Sequence, residues 1–122
     1  MLAAIDSGNS SVKLGIFSEG LLVSLTNSVS IHEIPVLIKK YPVKKIIISD
    51  TGGNKQALYA VLSSEKIIVF VNPQMRLPFK IRYSTPESLG TDRISVIAGA
   101  WSRHTFSDIL VIDAGTCITY DF

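Results

Sequence analysis

One short pattern stands near both ends of this chain, and it constrains the fold more than anything between. Residues 2–9 read Leu-Ala-Ala-Ile-Asp-Ser-Gly-Asn, and residues 109–116 read Ile-Leu-Val-Ile-Asp-Ala-Gly-Thr. In each copy an apolar strand ends in a carboxylate, followed by a glycine turn and a hydrogen-bonding side chain. A strand-end Asp can hold a metal or its water shell, and the glycine lets backbone N–H groups approach an anion. Two copies suggest two half-sites facing one nucleotide.

Between the copies, strands and helices alternate. Apolar residues 2–6, the alternating stretch 11–17 and the run 21–25, separated by Ser7–Ser10 and Ser18–Gly20, predict three antiparallel strands in a meander. A helix is expected over 32–41, with Ser30 as cap and Glu33 as its box partner. Strand 46–48, helix 55–63 and strand 67–71 follow. Fully apolar strands alternating with helices imply parallel pairing in a covered sheet. The expectation is an α/β fold with a mixed five-stranded sheet, begun by the meander and with helices on its faces.

Residues 72–88 carry Pro73, Pro78 and Pro86 and are expected as an ordered loop with one short strand at 80–83. Such long loops are usually functional. An amphipathic helix is expected from Ile94 to about His104, then strands at 109–113 and from Cys117 to Asp121.

Composition narrows the classes. The chain has 122 residues, 47% hydrophobic and 18% charged, with a formal net charge of +2. That is globular rather than disordered. Lys and Arg are dispersed among acids, so nucleic acid is not expected as the ligand. No apolar run reaches the ~20 residues of a membrane span. The start lacks a signal-peptide pattern, and the single Cys117 cannot form an internal disulfide. The expected location is the cytoplasm.

Three segments carry candidate chemistry. Asp6, Ser7, Gly8, Asn9, Ser10, Ser11, Val12 and Lys13 form a strand–turn–strand hairpin whose N–H groups, hydroxyls and ammonium suit phosphates, with Asp6 toward magnesium. The same residues also make a good ordinary turn. Gly90-Thr91-Asp92-Arg93 opens a helix, where the N-terminus attracts anions. There Arg93 can grip a carboxylate in bidentate fashion and Asp92 can accept a hydroxyl proton. The alternative is a simple N-cap at Thr91 or Asp92. Asp113-Ala114-Gly115-Thr116 gains weight from matching the first copy. Asp50, also at a strand end, is expected to cap its loop.

These segments, in this order, resemble those of type III pantothenate kinases, in the actin/hexokinase-like superfamily. The family's D-x-G-N-[TS]-x-x-K is matched by Asp6, Gly8, Asn9, Ser10 and Lys13. A Tyr seven residues before G-x-D-R is matched by Tyr83, Gly90, Asp92 and Arg93, and D-x-G-T by Asp113, Gly115 and Thr116. Ser10 replaces the commoner Thr, and Cys117 stands where a small residue such as Ala is usual.

The resemblance implies a ribonuclease H-like or actin-like fold, with residues 1–108 as an N-terminal domain and 109–122 opening a second, truncated one. It implies ATP-dependent phosphorylation of pantothenate, the first step of coenzyme A synthesis, by a homodimer. Asp6 through Lys13, with Thr116, would hold ATP and, through Asp6 and water, Mg2+. Tyr83 and Gly90–Arg93 would bind pantothenate, with Asp92 as general base. Asp113 would bind a monovalent cation, K+ or NH4+. Two other readings stay open: a non-catalytic nucleotide-binding or regulatory (transcriptional accessory) module, and a kinase with another acceptor. An acceptor segment like Tyr83 with Gly90–Arg93 favours pantothenate over both.

Overall fold

A computed structural model describes residues 1–62, 66–115 and 117–122. The chain divides into two compact units, Met1–Phe70 and Val71–Phe122.

In the first unit, β1 (Leu2–Ser7), β2 (Val12–Ser18), β3 (Leu21–Thr26), β4 (Lys45–Asp50) and β5 (Ile67–Phe70) form one sheet in the order β3-β2-β1-β4-β5. β1 pairs antiparallel with β2 and parallel with β4, and β4 pairs parallel with β5. This is the mixed sheet the alternation of apolar runs predicts. The meander's second turn explains itself locally. Glu19 and Gly20 both have positive φ, as a two-residue type I′ connection requires.

Registers place Ala3, Ile5, Leu14, Ile16, Ile46 and Ile48 on one face of the sheet, because partners across a ladder share a face and alternate residues do too. All six are buried. Ile34 and Ile38 from α1 (Ile34–Lys39), and Leu58 and Leu62 from α2 (Lys55–Leu62), join the same cluster. Each helix presents residues four apart, one stripe of the 3.6-residue period. The alternate residues of β1, Leu2, Ala4 and Asp6, face the other side of the sheet and are half-buried.

Helix α1 starts two residues later than the sequence suggests. Its cap position is Glu33, and only one side-chain half of the expected capping box is recorded: the Glu33 carboxylate accepts the Ser30 N–H at 2.9 Å. Residue 63, the expected end of α2, lies outside the described residues.

The second unit holds a 3-10 turn at Pro86–Ser88, α3 (Thr91–Arg103), and the antiparallel pair β6 (Val111–Ala114) and β7 (Ile118–Asp121). The strand expected over 80–83 does not form. These residues lie between Pro78 and Pro86, and their backbone joins no ladder among the described residues.

Candidate functional site

The carboxyl ends of β1 and β4 lie side by side, Ser7 opposite Asp50, where open α/β sheets place ligands. Alternation sends consecutive side chains to opposite faces. Asp6 therefore turns away from the core and meets Lys13, its cross-strand partner, at 3.6 Å; both side chains are about half exposed. Ser7 turns inward and is fully buried.

Ser7 is held from several directions. Its hydroxyl donates to Asp50 Oδ1 at 2.7 Å and accepts from Asn54 Nδ2 at 3.1 Å. Its carbonyl accepts the N–H groups of Thr51 and Gly52 at 2.9 and 3.0 Å. Asp50 Oδ1 also accepts the Asn54 N–H at 3.1 Å, so Asp50 does cap the loop before α2. The two loops touch closely: a Cβ added at Gly52 would stand 2.5 Å from the Gly8 carbonyl oxygen, so only glycine fits without a shift.

Beyond Ser7 the chain turns over Gly8–Ser11, closed by a Gly8 N–H bond to the Ser11 carbonyl at 3.0 Å. Asn9 and Ser10 are exposed. Gly8, Asn9, Ser10, Ser11, Val12 and Asn54 help line an open cleft of about 420 Å³. Val12 itself is anchored, its carbonyl accepting the Val29 N–H at 2.9 Å. The expected loop residues are thus assembled in one place, with Ser7 committed to the scaffold and Asn9 and Ser10 open to solvent.

In the second unit, Gly90 caps α3 and its carbonyl accepts the Ile94 N–H at 3.2 Å. Gly90 also leaves room for Asp92, whose Oδ1 would collide with a Cβ there. Asp92 Oδ1 accepts the Arg93 N–H at 2.8 Å. Gly90 is the N-cap of this helix, so neither Thr91 nor Asp92 is; the Ser95 hydroxyl donates to the Thr91 carbonyl at 2.7 Å.

Arg93 does grip a carboxylate, and that carboxylate is the chain's own Asp121. Nε donates at 3.0 and 3.2 Å to its two oxygens, and an Nη donates at 2.5 Å. The guanidinium carbon also lies 5.3 Å from the centre of the Tyr83 ring, a cation–π distance. The hydrogen bond to Asp121 raises the Arg93 pKa above its ordinary value, against the opposing effect of desolvation. Asp121 is thus a partner that sequence reading missed. Its pairing depends on a hairpin bringing residue 121 back to residue 93, which no local pattern signals.

Asp113 is half-buried on β6, directly across from Thr119. The buried hydroxyl oxygen of Thr119 has no hydrogen-bond partner among the described residues. Thr116 lies outside the described residues. Among the described residues no group of three or more His, Cys, Asp and Glu is gathered as a metal cage.

A five-stranded mixed sheet opening with a meander, with helices packed on it, fits the actin-like, ribonuclease H-like class of folds. The comparisons narrow that class. The sequence model for type III pantothenate kinase matches residues 2–122, so the chain belongs to this family. Relatives named type III pantothenate kinase include that of Phocaeicola vulgatus, 36% identical over 121 residues, covering 97% of this chain and 50% of the relative. That of Christiangramia forsetii is 34% identical, covering 99% and 51%. That of Cytophaga hutchinsonii is 33% identical, covering 100% and 51%. The chain spans about half the length of these relatives.

Proposed function

We propose that this chain supplies the nucleotide and acceptor segments of a pantothenate kinase, which transfers a phosphoryl group from ATP to pantothenate to give 4′-phosphopantothenate. The observation that carries the reading is the acceptor segment. Tyr83 and Arg93, ten positions apart, stack together beside Asp92 in one unit. A nucleotide-binding module alone has no need of that arrangement.

Each residue then has a role. Gly8, Asn9, Ser10, Ser11 and Val12 offer loop N–H groups and hydroxyls to the ATP phosphates, and Lys13 adds a positive charge. Asp6, accessible at its strand end, suits the water shell of Mg2+, and Thr116 is assigned to ATP. Mg2+ bound with ATP would neutralise phosphate charge. Asp113 with the unpartnered Thr119 hydroxyl provides oxygen donors fitting a monovalent cation, K+ or NH4+.

Asp92 accepts the proton of the pantothenate hydroxyl as general base. Its Oδ1 is occupied by the Arg93 N–H, so Oδ2 is the oxygen assigned to that proton. Gly90 and Thr91 shape the approach at the start of α3. A cavity of about 370 Å³ in the same unit, with an apolar wall of Phe79, Tyr83 and Trp101 and with Arg82, Asp108 and Asp121 among its charged groups, suits an acceptor with an apolar middle and polar ends. Pantothenate, with its geminal methyl groups and carboxylate, is such a molecule.

We further propose a homodimer acting in the cytoplasm at the entry to coenzyme A synthesis. Among the described residues no helix is long and apolar enough to cross a membrane. The test is ATP- and pantothenate-dependent release of ADP, with Mg2+ and K+ present. It is run on the 122-residue chain and on a longer protein of family length that contains it. Turnover by the longer protein is expected. If it binds ATP yet phosphorylates no pantothenate, the kinase reading is overturned in favour of a binding module or another acceptor.

A further inference from the structure

Asp50 and Asn54 stand outside all three motifs, yet both bond to the residue from which the phosphate loop departs. The turn Gly8–Ser11 already closes on itself through the Gly8–Ser11 backbone bond. The Ser7–Asp50–Asn54 ring adds nothing to that closure. What it fixes is the orientation of the peptide between Ser7 and Gly8: hydroxyl bonds at 2.7 and 3.1 Å hold one side, and Thr51 and Gly52 hold the carbonyl. The third edge of the ring, Asn54 N–H to Asp50 Oδ1 at 3.1 Å, ties the first turn of α2 to the same carboxylate. Asn54 also lines the cleft with Gly8, Asn9 and Ser10.

We propose that Asp50 and Asn54 are positioning residues for ATP, acting through Ser7 to hold the loop N–H groups in place before the nucleotide arrives. The inference rests on reading Gly8–Lys13 as the ATP phosphate loop. A loop held beforehand loses less freedom on binding, so the ring improves affinity for the phosphates without touching them. The pantothenate segment lies on other elements, so its affinity is independent of the ring.

The test is steady-state kinetics on the longer protein, with each substrate varied in turn, for Asp50→Ala, Asp50→Asn and Asn54→Ala, alongside thermal melts. Asp50→Ala and Asn54→Ala are expected to raise the KM for ATP about tenfold and leave that for pantothenate within about twofold. Asp50→Asn keeps an oxygen acceptor in place and should restore most of the ATP affinity. Three results overturn the proposal: an unchanged KM for ATP, parallel rises in both KM values with a fall in Tm, or no rescue by Asp50→Asn. If Asp50→Ala does not fold, Asn54→Ala and Asp50→Asn decide. If the wild type lacks kinase activity, the function reading fails, and equilibrium binding of Mg-ADP decides the inference separately. Weaker binding by Asn54→Ala supports it; equal binding, or none by the wild type, overturns it.

Discussion

The two copies of the Asp-x-Gly pattern differ most at the residue between Asp and Gly. In the first copy it is Ser7, fully buried and bonded to Asp50 and Asn54; in the second it is Ala114, exposed and without a side-chain donor. Their surroundings differ in the same sense. The first copy ends the central strand of a five-stranded sheet over a closed apolar cluster. The second ends one strand of a two-stranded sheet whose outward residues Ile112, Ile118 and Tyr120 are more than half exposed. The same local sequence thus carries a buried, bonded side chain in one place and an exposed alanine in the other, and the strand beside each copy makes the difference.

The largest expected effect tests whether either copy's carboxylate does the proton chemistry. Asp92→Asn should lower kcat by about 10²–10⁴-fold, the usual contribution of a general base, with the thermal melt nearly unchanged. Asp6→Asn and Asp113→Asn should act mainly on the KM for ATP and on cation dependence. A kcat that Asp92→Asn leaves unchanged would assign the base elsewhere.

Next in size is a stability contrast between the two sheets. Ile48, fully buried beside Ile5 on the covered face, should cost about 2–5 kcal/mol when changed to Ala. Ile112, 57% exposed, should cost less than about 0.5 kcal/mol under the same change. Denaturant unfolding measures both, and comparable losses would mean that the outward face of β6 is covered in solution.

A third prediction concerns the Arg93–Asp121 pair. Arg93→Lys keeps the charge but loses the planar fork, and should raise the KM for pantothenate about tenfold while the KM for ATP stays near wild type. The pH dependence follows from the raised Arg93 pKa. A group with a raised folded-state pKa contributes fully below its unfolded value and loses that contribution only as pH rises through the folded one. Both lie far above neutrality. The difference in Tm between wild type and Arg93→Lys should therefore stay constant across neutral and mildly alkaline buffers; a slope there would point to a different partner for Arg93.

The sheet was legible in the sequence because its strands are apolar runs punctuated by Ser, Gly and Asn, and because runs such as Ile46–Ile48 leave little choice but burial. The segments Gly8–Lys13 and Gly90–Arg93 were legible as motifs for a related reason: each is local. What escaped depends on pairing across the chain. Asn54 and Asp121 earn their places through bonds to Ser7 and Arg93, 47 and 28 positions away. The strand expected at 80–83 failed on the same principle. A pattern of side chains favours extension, but a strand needs a neighbour with unpaired N–H and C=O groups.

The smallest prediction isolates a purely local term on the well-held side of the comparison. Glu19 sits at φ +51° in the turn between β2 and β3, a conformation that costs a non-glycine residue about 1 kcal/mol. Among the described residues its side chain makes no bond that offsets the strain. Asn tolerates positive φ better than Glu, and Asn-Gly is the favoured pair for a type I′ turn, so Glu19→Asn should stabilise the protein by about 0.5 kcal/mol. β3 lies at one edge of the sheet and, among the described residues, pairs with β2 alone, so the turn is a main constraint on its register. Thermal melts of wild type and Glu19→Asn give the sign. Slower amide exchange confined to β2 and β3 would locate the gain. An unchanged or lower Tm would mean that strand pairing, rather than the turn, already sets this hairpin and absorbs the strain at Glu19.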